Sequence, residues 1–95
     1  MLILHKIYVA YLGDYMKINT PSHSKNIIGD RLKTFRKENK ITQEDLSARL
    51  QTRGLTLDRT AISKIERGER LVPDYEVVII AKALKVDVKW LLTGK

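Results

Sequence analysis

The sequence contains no cysteine among its 95 residues, which excludes disulfide frameworks, cysteine-containing zinc sites and thiol nucleophiles. Nothing in it calls for an oxidising compartment, and a reducing cytoplasm suits it. Long hydrophobic runs are missing too. The most apolar stretch, Leu2 to Leu12, is 11 residues interrupted by His5 and Lys6, against the roughly 20 that a bilayer span requires. No transmembrane helix is expected. With no basic residue ahead of that run and no small-x-small site behind it, no secretory signal is expected either. Catalytic patterns are equally scarce. Both histidines, His5 and His23, precede the periodic part of the chain, and no Ser-His-Asp set, paired carboxylates or phosphate-cradling glycine run occurs. Neither an enzyme nor a cofactor or metal site is expected.

What the sequence does have is positive charge. Lys and Arg number 18 against 11 Asp and Glu, a formal +7 at pH 7, which favours a polyanionic partner without saying which. From Asn26 onward lie 15 of the basic and 10 of the acidic side chains, so about +5 belongs to that region rather than to a basic tail. The length fits one domain with one small core.

The chain divides near residue 25, where Asn19, Thr20, Pro21, Ser22, His23 and Ser24 collect turn formers. Residues 1–25 therefore read as an N-terminal extension and linker, and residues 26–95 as the folded domain. In the extension, Leu4, Tyr8, Tyr11 and Tyr15 fit a helix or a strand equally well. A third reading starts the natural chain at Met16, leaving residues 1–15 untranslated.

Beyond the linker come five helical patterns and no alternating strand. The first, about Ile28 to Glu38, puts Ile28, Leu32 and Phe35 on one face. The second opens at Thr42 with a capping box to Asp45 and a staple of Ile41 on Leu46, and continues through Leu50. Gly54 closes it in a left-handed conformation. The third takes Asp58 as its cap, buries Ile62 and Ile65 and ends at Gly68. The fourth opens at Pro73 and Asp74 and turns Val77, Val78, Ile80, Ala81 and Leu84 inward over a wide face. The fifth, Asp87 to Leu92, presents Trp90 and Leu91 before Gly94.

The third helix is too short to stand alone. At about 100° per residue its inner side takes Ile62, Ile65 and Glu66, and its outer side takes Thr60, Ser63, Lys64 and Arg67. That outer face is wholly polar and basic. Arg59, in the first turn, opposes the helix dipole by a few tenths of a kcal/mol unless an anion or a base edge favours it.

Three strings, taken in order, resemble a known family: Thr42-Gln43-Glu44-Asp45-Leu46-Ser47, then Ala61-Ile62-Ser63-Lys64-Ile65-Glu66-Arg67-Gly68, then Ile80-Ala81-Lys82-Ala83-Leu84. Together with Trp90-Leu91-Leu92 they look like the Cro and phage-repressor type of helix-turn-helix, also called the xenobiotic-response-element family, over about Ile28 to Leu92. The resemblance implies an all-α, compact five-helix bundle of the lambda-repressor-like type. It implies a partner, double-stranded DNA, read in the major groove by Arg59, Thr60, Ser63 and Lys64. Gln43, Arg67 and Arg70 would meet the DNA backbone, with Gln43 also bracing the recognition helix. Arg36 would pair with Glu66 to lock the third helix on the first. A homodimer on DNA is expected, with the Trp90 and Leu92 end as a candidate contact.

One departure stands out. Leu50 and Ile62 are twelve steps apart, about five more than the family's usual connection. The second helix is therefore expected to run to about Arg53, and the enlarged turn, residues 51–57, to affect the tilt of the third. The function expected is a sequence-specific transcriptional regulator, in the repressor manner, in the cytoplasm. The alternatives are the DNA-binding antitoxin of a toxin–antitoxin pair and a protein-interaction module that keeps the fold without using DNA.

Overall fold

The computed structural model describes residues 23–95; the expectations for residues 1–22, the alternative start among them, lie outside it. Five helices follow one another: α1 Gly29–Glu38, α2 Gln43–Gln51, α3 Arg59–Glu66, α4 Asp74–Leu84 and α5 Val88–Thr93. Among the described residues there is no strand, and no helix is long and apolar enough to cross a membrane.

The helix starts follow from short polar side chains. Thr42 accepts from the Asp45 amide while the Asp45 carboxylate accepts from the Thr42 amide, a reciprocal capping box. That bonding holds Asp45 below the usual carboxylate range, the backbone N–H of Thr42 being the main cause. Asp58 caps α3 through the Ala61 amide, and Asp87 caps α5 through that of Lys89. The first four helices end alike: the residue in the left-handed region donates three back, and the next donates five back. Gly54 and Gly68 hold that position after α2 and α3, whereas Lys40 (φ 56°) and Lys85 (φ 60°) hold it after α1 and α4.

Leu32, Leu46, Leu50, Ile62, Ile65, Ile80 and Leu91 are fully buried and draw on all five helices. Phe35 and Trp90 meet edge to face at 5.6 Å, joining α1 to α5. The Arg31 guanidinium donates to the Leu91 carbonyl at 2.6 Å, closing the same contact. Two expectations are corrected. Val78 is exposed, not buried: it lies about 100° beyond Val77, outside the sector of Val77, Ile80, Ala81 and Leu84 that meets the core. α2 ends at Gln51, two residues before Arg53, because the chain tightens into its left-handed closure at Gly54.

The enlarged connection is well tied. Leu55 donates back to the Leu50 carbonyl at 3.0 Å, and the Ser47 hydroxyl donates to the Leu57 carbonyl at 2.6 Å. Leu55 and Leu57 both sink into the core, so the extra residues fold back against α2.

Candidate nucleic-acid interface

α3 is held from behind at three points. Glu66, the last residue of the helix, is buried and accepts from Arg36 of α1 through Nε at 2.7 Å and Nη2 at 2.9 Å. The hydrogen bonding to Glu66 raises the Arg36 pKa further, against the opposing effect of burial. Arg36 also donates from Nη1 to the Ile41 carbonyl at 2.9 Å, so each of its three nitrogens is engaged. The Nε2 of Gln43, from the first turn of α2, reaches the Oε1 of Glu66 at 3.0 Å.

The third mooring was not visible in the sequence. Asn26 Nδ2 donates to the carbonyls of Ile65 and Arg70, both at 2.9 Å, while its Oδ1 accepts from the amides of Ile28 and Gly29. One side chain thus starts α1 and satisfies the end of α3. The two helices approach so closely there that a Cβ on Gly29 would stand 2.3 Å from the Ile65 carbonyl oxygen. Neither residue announces this locally: the carbonyls that Asn26 donates to lie 39 and 44 positions away.

With its inner side fixed, α3 turns the rest outward. Arg59, Thr60, Lys64 and Arg67 are exposed and Ser63 half-buried. At i and i+4 spacing these form two columns, Arg59–Ser63–Arg67 and Thr60–Lys64. Arg59 Nε donates to Gln43 Oε1 at 3.4 Å and lies 3.6 Å from Glu44 Oε1, so the first reading candidate sits against the start of α2. Arg67 donates to the Ser63 hydroxyl and pairs with Glu69 at 3.0 Å. The pair raises Arg67 and lowers Glu69 from their ordinary values, chiefly through the hydrogen bond between them. Both are open to solvent, where ion pairs of this kind exchange readily for another anion.

Arg70 stands apart from this face. Its Nη1 donates to the buried Glu76 of α4 at 2.7 Å, and it also caps the Leu71 carbonyl. The sequence offered no sign of that partner, since Glu76 sits in a first helical turn where an acidic residue is ordinary. Trp90 and Leu92 are half-buried against the core, whereas among the described residues Leu71, Tyr75 and Val78 are the large exposed apolar side chains. Among the described residues no cluster of three metal-ligating side chains occurs.

Three comparisons with known proteins bear on this arrangement. A family model described as a helix-turn-helix domain matches residues 29–95. The control protein C.SmaI of Serratia marcescens is 38% identical over 69 residues, covering 73% of this chain and 76% of that protein. Among solved structures, the P22 c2 repressor protein, in complex with synthetic operator 9T in the presence of Tl+, superposes with a TM-score of 0.60. It is 29% identical and covers 72% of this chain and 96% of that one. The chain belongs to the helix-turn-helix family, in its Cro and phage-repressor form.

Proposed function

We propose that the protein is a sequence-specific DNA-binding transcriptional regulator that occupies an operator as a homodimer, with α3 in the major groove. The observation that carries the reading is the outward face of α3: four polar or basic side chains on a helix whose opposite side is fixed to α1 and α2 by buried hydrogen bonds. A reader of base edges needs that rigidity, because bidentate contacts tolerate little displacement. Arg59 and Lys64 suit guanine O6 and N7, the Thr60 methyl suits thymine, and Ser63 assists. Gln43 and Arg67 take phosphates. Arg70 does so only by sharing its pair with Glu76, which makes it the weakest of the three. The similarity to an operator-bound repressor supports the same pose.

Dimerisation supplies two half-sites a helical turn apart, and a second copy would cover the exposed Leu71, Tyr75 and Val78. Such a protein works where the DNA is, in the cytoplasm. Selecting bound sequences from a random duplex pool tests the reading. A recurring two-fold motif is expected, with affinity falling by about 0.9 log units per log unit of salt for each phosphate neutralised. No enriched sequence, or binding indifferent to salt, would favour a protein-interaction role. Sedimentation of the complex should show two chains per operator; one chain would remove the dimer.

A further inference from the structure

We propose that Glu66 is a positioning residue for base reading: through the Gln43 amide it fixes the direction of the Arg59 guanidinium, so that the buried ion pair sets sequence preference as well as stability. The inference rests on the regulator reading above. Four side chains from three helices form one chain of contacts, Arg36 to Glu66 at 2.7 and 2.9 Å, Glu66 to Gln43 at 3.0 Å and Gln43 to Arg59 at 3.4 Å.

The polarity of that chain is dictated by chemistry. A glutamine amide has a donor end and an acceptor end of nearly the same shape, and only its neighbours decide which way it faces. Both Glu66 oxygens accept from Arg36, so the end of Gln43 turned to Oε1 is the NH2 group, which donates to it. The carbonyl oxygen is then left facing Arg59, and it accepts from Nε. The reversed amide would aim N–H at a carboxylate's opposite, a guanidinium that only donates. Arg59 thus meets a carbonyl rather than a second cationic-facing donor.

The atom engaged matters as well. Both the Gln43 hydrogen bond and the Glu44 approach involve Nε of Arg59. The two Nη groups make up the fork that matches guanine O6 and N7. Holding the guanidinium by its stem side restricts its rotation while using neither Nη group in these contacts, which lowers the ordering cost on binding. Gln43 in this account does more than touch a phosphate: it carries orientation from a buried carboxylate to an exposed base reader.

The test uses the full chain and the operator obtained by selection, together with a duplex altered at the one base pair whose preference Arg59→Ala abolishes. Gln43→Met keeps the stem and removes both ends of the amide; Glu66→Gln keeps the shape and removes the obligate acceptor. Both variants are expected to lose roughly threefold to tenfold discrimination at that base pair while keeping it elsewhere. Gln43→Met should do so with a smaller fall in melting midpoint than Arg36→Met produces, since Arg36 still pairs with Glu66, and Arg59→Ala combined with Gln43→Met should discriminate no worse there than Arg59→Ala alone. Should Glu66→Gln fail to fold, the Gln43 cycle decides. Loss spread equally over all sequences, or additive losses in the double variant, overturns the relay and leaves Gln43 a phosphate contact. Wild-type protein that selects no sequence instead defeats the regulator reading itself.

Discussion

Replacing Arg36 by methionine removes the charge and all the donors of the buried pair while keeping most of the stem's packing. Glu66, whose side chain is 3% exposed, then keeps only the Gln43 hydrogen bond. Orphaning one member of a buried pair typically costs about 3–5 kcal/mol. A domain of about 70 residues has roughly 4–10 kcal/mol to lose, and 3 kcal/mol corresponds to a melting shift of roughly 12–24 °C. Circular dichroism melts of wild type and Arg36→Met should show a midpoint lowered by that amount. Replacing both partners, Arg36→Met with Glu66→Leu, should recover most of the loss. An unchanged midpoint would mean that the pair is solvated; a loss that the double variant does not recover would mean that packing, not charge, was lost.

Three further outcomes follow from the backbone. Gly29→Ala should destabilise by at least about 2 kcal/mol, because its Cβ would meet a carbonyl that Asn26 also holds in place; wild-type stability in urea would deny the close approach. Lys40→Gly should stabilise by about 1 kcal/mol by relieving the left-handed conformation at the end of α1, and chemical denaturation reads this directly. Thr42→Ala should cost about 1 kcal/mol through the capping box. The contribution of Asp45, held below its ordinary range, is present above about pH 4 and lost as the pH falls further, so Asp45→Ala and wild type should converge in acid melts.

The parts of this fold legible in the sequence are those coded by neighbours. Thr42 with Asp45, Asp58, Asp87, Gly54 and Gly68 mark helix ends through bonds that span five residues or fewer, and the outer face of α3 follows from its period. The two lysines that end α1 and α4 were not legible, since nothing in a lysine predicts a positive φ. Val78 is exposed because the apolar run of α4 is wider than the face it buries. For the site, base-reading candidates came from the family resemblance. The resemblance also implied the Arg36–Glu66 lock and the Gln43 brace; the rest came only with the structure, because Asn26, Gly29 and Glu76 act on residues brought near by the chain's path, and a single sequence holds no local mark of such partners.

The tied connection between α2 and α3 has a consequence for how such proteins diversify. Leu55 and Ser47 fasten the loop to α2 at both of its ends, while α3 takes its pose from Glu66, Asn26 and its own buried isoleucines. The loop and α3 are thereby anchored by separate sets of bonds. If α3 reads DNA as proposed, residues added between Gly54 and Leu57 should leave the preferred sequence unchanged, and the outer residues from Arg59 to Arg67 should be exchangeable as a block on the same mount. On that reading the segment is a portable reading head, and the rest of the domain its holder.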